Sequence, residues 1–223
     1  MLLCAITDRR LVGETLAEQR AGLVELARIW AENGVALVQL REKDLPIAGL
    51  LSLAKSMHQA MRATGARTRL LLNAPPEVAL AAGVDGIHLP AGLAPGQIDE
   101  IRGLHAAISA SSGSGPGARP FWVSVSCHTL EEVLEARRQQ VDCVLFAPVF
   151  EKKISEGNVL PGQGLEALAA ACRAAQPVPV LALGGVTAKN AAACRAAGAA
   201  GTAAIRLFHA PPSAWSALRH AGP

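Results

Sequence analysis

The chain has 223 residues, 51% of them hydrophobic, and a formal net charge of +3 from basic residues scattered along its length. One full-sized core is expected, and an electrostatic footprint for nucleic acid is excluded. Only 3% of the residues are aromatic and Tyr is absent, so the apolar mass is Ala, Leu and Val, which suits helices packed closely on strands.

The start "MLLCAITDRR" lacks a basic n-region and reaches charge by Asp8, so it is not read as a signal peptide. No apolar run approaches the length of a membrane span. Five cysteines (Cys4, Cys127, Cys143, Cys172 and Cys194) form no C-x-x-C pair, and their odd number argues against a disulfide framework or a structural zinc site. The expectation is a soluble, cytoplasmic protein with neither nucleic acid nor membrane as partner; a homo-oligomer stays open.

"LLCAIT" is the first predicted strand, followed by a helix over 15–33 that Gly34 stops. "VALVQL" and a helix over 46–64 come next, then "RLLL" and a short helix over 75–82 that Pro can begin. "GIHL" leads to a helix from about residue 95. "SASSGSGPGARP", 109–120, reads as a flexible loop. Its glycines resemble a dinucleotide fingerprint, but a strand follows where that motif needs a helix. "FWVSVS" precedes a helix over 129–139, and "CVLFA" one over 164–175. "VPVLAL" precedes a helix over 187–197, and "GTAAI" a last helix near 213–219.

Eight near-continuous apolar strands, each followed by a helix, imply an α/β protein with a parallel sheet buried on both faces. They close most naturally into a single (β/α)8 TIM barrel, one domain over 1–223; an open doubly wound sheet is the alternative. In such a barrel the site lies at the carboxyl ends of the strands.

The second predicted strand ends in "QLREKD". Gln39, Arg41 and Lys43 alternate there, so an extended chain would point all three one way, suiting a phosphate or diphosphate. A charged loop entering a helix is the plainer reading. The third strand ends at Asn73, and the fourth carries His88. The fifth ends in "SVSCHT", offering Ser126, Cys127 and His128. His128 suits a general acid or base, though a structural histidine fits as well. A Cys127–His128 pair is disfavoured, because neighbours on a strand face opposite ways. "GGVT" and "GTAAIRLF" supply Gly184, Gly185 and backbone N–H groups near Ile205 and Arg206, the makings of a phosphate-ester cradle.

"AITDR", "GVALVQLREKD", "VALAAGVDGIHLP", "SVSCHTLEEV", "DCVLFAPVF", "PVLALGGVT" and "AAGAAGTAAI" together resemble, in order, the thiamine phosphate synthase family, whose superfamily includes the thiazole tautomerases. A synthase of that family joins a pyrimidine, activated as its diphosphate, to a thiazole phosphate with the help of magnesium. The resemblance implies that Gln39, Arg41 and Lys43 meet the pyrimidine and diphosphate. It also puts Asn73 before a metal-binding Asp, Ser126 near the diphosphate, and Gly184 and Gly185 at the thiazole phosphate.

The family's Asn-Asp-Arg is Asn73-Ala74-Pro75 here, and Leu93 stands where the second metal Asp belongs. The loop "FEKKISEGNVLPGQG" keeps Lys152 and Lys153 but not the Thr-x-Thr-Lys run that grips diphosphate. These departures favour a thiazole-tautomerase-like isomerase with no metal or other cofactor, His128 as its base or acid, and a thiazole phosphate as its ligand. Arg41 or Lys43 would then hold a substrate carboxylate. Two alternatives stand: a magnesium-dependent synthase with displaced ligands, for which Asp85, Asp99 or Glu151 would substitute, and a barrel that binds a phosphate ligand without catalysis.

Overall fold

The computed structural model describes residues 1–111, 120–155 and 158–219. Eight parallel strands close a barrel: β1 (Leu2–Ile6), β2 (Leu37–Leu40), β3 (Arg69–Leu72), β4 (Gly86–Leu89), β5 (Trp122–Cys127), β6 (Cys143–Phe146), β9 (Val180–Ala182) and β10 (Gly201–Ala204). The order is β1-β10-β9-β6-β5-β4-β3-β2, so each strand lies beside its barrel neighbour in sequence. Strands β7 (Lys152–Ser155) and β8 (Asn158–Leu160) form an antiparallel pair in the loop after β6, an addition that the alternating pattern of the chain does not signal.

Local chemistry sets the helix ends. In α1 (Leu16–Glu32) the Thr15 side chain accepts from the Glu18 N–H while Glu18 accepts from the Thr15 backbone, a capping box. In α5 (Leu130–Arg138) Thr129 and Glu132 repeat it, which fixes the chain immediately after His128. Pro76 opens α3 (Pro76–Ala82), and Gly83, at φ 63°, closes it in the left-handed conformation. Helices α2 (Ile47–Ala63), α4 (Gln97–Ser111) and α6 (Gly164–Ala175) agree with the pattern to within a residue or two at each end that it defined.

Three expectations are corrected. Residues 109–111 continue α4 and are not loop; the rest of the glycine-rich stretch, 112–119, lies outside the described residues. Helix α7 spans only Ala191–Ala196, because Asn190 accepts from the Thr187 N–H (2.7 Å) and donates to the Gly185 carbonyl (3.0 Å), holding the preceding turn outside the helix. After α8 (Arg206–His209) the chain makes two 3-10 turns, Pro212–Ala214 and Ser216–Arg219, where a last helix was expected. The Ala214, Trp215 and Leu218 N–H groups bond to the carbonyls three residues back, at Pro211, Pro212 and Trp215, which tightens the chain into 3-10 turns.

Along each strand alternate residues serve two cores. Leu70, Leu72, Ile87, Val123, Val125 and Val144 face the helices, whereas Cys4, Ile6, Leu37, Leu71, Cys143, Leu145, Leu181 and Ala203 fill the barrel interior. The five cysteines are all buried and free, as expected of small apolar residues. Among the described residues no helix is long and apolar enough to cross a membrane.

Candidate functional site

Following the inward positions toward the carboxyl ends of the strands divides the mouth into halves. On β2 to β5 the apolar interior gives way to Gln39, Asn73, His88, Ser124 and Ser126. On β6, β9 and β10 the same two-residue period continues with Ala147, Leu183 and Ile205. One half of the rim is polar and the other is not.

In the polar half, His88 is 4% exposed. Its Nδ1 lies 2.9 Å from Ser124 Oγ and its Nε2 3.0 Å from Ser126 Oγ. Burial pushes the imidazole down to about 3, and the nearby Arg41 cation pushes it the same way. The folded protein therefore holds His88 neutral where the unfolded chain, near 6.5, takes a proton. Stability from this group is present above about pH 6.5 and is lost as pH falls toward 3. Comparing the melting temperature of wild type and His88→Gln from pH 7 to 4 should show a flatter acid limb in the variant.

Asn73 Nδ2 donates to the His88 carbonyl at 3.1 Å, tying the end of β3 to β4. Gln39 is 2% exposed, and its Oε1 has no hydrogen-bond partner among the described residues. Leaving such a group unsatisfied costs about 1–3 kcal/mol, so an orphan acceptor at a barrel mouth is a candidate ligand contact.

Gln39, Arg41 and Lys43 do not share one strand face: β2 ends at Leu40, and the other two lie in the turn beyond, Arg41 half-buried and Lys43 exposed. The acids next to them, Glu42 and Asp44, are engaged elsewhere. Arg9, after β1, binds Glu42 at 3.2 Å and forks onto Asp44, with one of those two bonds at 2.8 Å; Arg10 reaches Asp44 at 2.7 Å. Among the described residues no carboxylate pairs with Arg41 or Lys43, so the turn offers cations while its acids are neutralised.

His128 follows β5 and is exposed. Its ring Nδ1 is 2.7 Å from the Ala147 carbonyl, which can only accept, so Nδ1 carries the proton and the neutral ring keeps its lone pair on Nε2. Gln163 Nε2 donates to the same carbonyl at 2.9 Å. Cys127 points outward into the helix-side core, with burial pushing its thiol up to about 12, so it is no partner for His128.

Gly184 and Gly185 follow β9 at φ 93° and 64°. A Cβ on Gly184 would lie 2.7 Å from Pro148 Cα, and one on Gly185 2.6 Å from the Glu151 carbonyl oxygen. Only glycine lets this turn pack against the loop after β6. Ile205 caps α8, which has four residues, and the Arg206 side chain is exposed. That helix is too short to hold an anion by its dipole.

The acids considered as substitute metal ligands do not gather. Asp85 sits at the opposite end of the barrel, where it accepts from the Leu70 N–H (2.9 Å) and pairs with His58 (3.1 Å). Asp99 is exposed in the first turn of α4, and Glu151 is exposed after β6. Ala74 and Leu93 are half-buried and pack against the apolar core. Among the described residues no three His, Cys, Asp or Glu side chains come together as a metal site. Magnesium demands oxygen ligands, and the residues at these two strand ends do not fit it. The side chains of Lys152 and Lys153 lie outside the described residues.

Sequence reasoning passed over the partners of His88. That Ser124 and Ser126 meet it depends on the β4–β5 register, which pairs His88 with Ser124. The Arg9–Glu42–Asp44 network was also missed, although bases after one strand and alternating acids after the next were a signal.

Fold and mouth together define a (β/α)8 barrel with a polar, partly cationic mouth at the carboxyl ends of its strands. The chain belongs to the thiamine monophosphate synthase family, whose model matches residues 3–208. A putative thiamine-phosphate synthase of Geobacter sulfurreducens is 37% identical over 94% of this chain and 87% of its own length. The thiamine-phosphate synthase of Methanoculleus marisnigri is 35% identical over 91% and 85% respectively. In structure, thiamine phosphate pyrophosphorylase from Pyrococcus furiosus superposes with a TM-score of 0.72 at 27% identity, covering 98% of this chain and 94% of that one.

Proposed function

We propose that the chain couples a pyrimidine diphosphate to a thiazole phosphate, giving thiamine phosphate and free diphosphate. The observation that carries this reading is the buried, unpartnered Gln39 acceptor beside Arg41 and Lys43. A heterocycle bearing an amino group supplies the missing donor to Gln39 Oε1, and a diphosphate on the same molecule meets the two cations. The glycine turn at Gly184 and Gly185 receives the phosphate of the thiazole. The bond from the pyrimidine methylene to the diphosphate oxygen breaks as the thiazole nitrogen lone pair forms the new C–N bond, and Arg41 and Lys43 hold the charge on the leaving group.

The synthase names of the curated relatives support this reading over the tautomerase expected from Ala74 and Leu93. One observation favours proton transfer on a thiazole instead: apolar side chains stand at both strand ends, and His128 Nε2 is free to act as a base. His128→Ala separates the two readings. Coupling should survive in the variant, because no proton moves in the bond exchange. A wild-type protein that couples nothing but tautomerises a carboxylated thiazole phosphate, and loses about 10²–10⁴ of that rate in His128→Ala, would overturn the proposal.

A further inference from the structure

The β1–β2 ladder stops one bond early, and a side chain stops it. Ile6 pairs with Gln39, and the Thr7 N–H continues the ladder to the Gln39 carbonyl at 3.0 Å. In that parallel register the next bond runs from the Arg41 N–H to the Thr7 carbonyl. The Arg41 N–H instead meets the Thr7 hydroxyl, at 2.9 Å, on a residue that is 1% exposed. One step further the Arg9 N–H, which the same ladder would give to the Arg41 carbonyl, goes to Glu42 Oε1 at 3.1 Å. From the other side the Asn73 N–H holds the Leu40 carbonyl at 2.9 Å. The main chain at Arg41 is thus fixed where β2 leaves the sheet. Its guanidinium lies near enough to His88, on β4, to push that imidazole down, so the side chain leans into the polar half of the mouth.

We propose that Thr7 is a positioning residue whose hydroxyl stands in for its own carbonyl and so sets Arg41 against an oxyanion bound in the mouth. A buried strand end suits Val at least as well as Thr, so packing alone does not call for the hydroxyl. Thr7→Val removes the acceptor and keeps the branched shape. The Arg41 N–H is then left unsatisfied, or it is taken by the main-chain carbonyl at position 7, which extends β2 by one bond. In either case Arg41 shifts relative to the mouth. The inference rests on the proposed function only in taking Arg41 as the contact for a diphosphate.

The test uses the full-length protein, with inorganic diphosphate as the probe and calorimetry as the readout. Thr7→Val should weaken diphosphate binding about tenfold, the loss of roughly one hydrogen bond. Thr7→Ser, which keeps the hydroxyl, should stay within about threefold of wild type. In an Arg41→Ala background Thr7→Val should cost almost nothing more, because the residue it positions is gone. In the coupling reaction Thr7→Val should lower kcat by a similar factor. The KM for the thiazole phosphate, received at Gly184 and Gly185, should not move. An undiminished affinity in Thr7→Val, an equal loss with and without Arg41, or a loss that Thr7→Ser shares would overturn the inference. So would a wild type that binds no diphosphate. A wild type that couples nothing but shows the expected pattern of diphosphate affinities counts against the proposed function and leaves this inference standing.

Discussion

Gln39→Met is expected to make the protein more stable and close to inactive. Gln39 is 2% exposed, and its amide oxygen has no partner among the described residues, so a methionine of similar length removes a desolvated acceptor and fills the same space with apolar atoms. The gain should be about 1 kcal/mol, visible as a higher denaturant midpoint with an unchanged slope. The same change removes the hydrogen bond that orients the ligand beside the Arg41 and Lys43 cations. Misplacement of that kind costs about 10²-fold in rate. Opposite signs in stability and activity mark a polar group kept for a ligand, and a Gln39→Met protein that is less stable, or turns over normally, would contradict this role.

Arg9→Met should act in the other direction, through folding. The Arg9 side chain is 11% exposed and that of Glu42 4%, and they meet at 3.2 Å under the loops that follow β1 and β2. Removing the cation leaves Glu42 charged and buried without its partner, a situation that costs about 3–5 kcal/mol. It also frees Glu42 to compete for Arg41 and Lys43, while Arg10 still holds Asp44, so ligand affinity should fall with stability. Adding Glu42→Gln should restore much of the stability, since no charge is then stranded. Equal instability of the single and double variants, measured by chemical denaturation, would show that the arginine acts by packing alone.

The barrel was legible in the sequence because each of its strands is a short apolar run bounded by turn chemistry. Gly34 marked the end of the first helix within a residue or two, while the capping boxes at Thr15 and Thr129 and the left-handed Gly83 emerged only with the structure. The β7–β8 pair was not legible: "FEKKISEGNV" is polar and lacks the alternation that a half-buried strand shows. Nor was the early end of β2 after Leu40, since alternation in "QLREK" continues past the point where the chain turns. The candidate residues were found one strand end at a time, which is as far as periodicity reaches. Which of them touch depends on register, as with His88 and Ser126. Which are electrically available depends on partners that are distant in sequence, as Arg9 is for Glu42.

The central claim is that this mouth joins two heterocycles with the cations of the β2 turn, while apolar Ala74 and Leu93 follow β3 and β4. The most direct test is to incubate the purified protein with the pyrimidine diphosphate and the thiazole phosphate, and to follow thiamine phosphate by its fluorescent oxidation product. Wild type should form product, and Arg41→Ala should form at least tenfold less, the loss of about 1.4 kcal/mol of charge stabilisation at the leaving group. No product from a wild-type protein that still binds the thiazole phosphate would contradict the account.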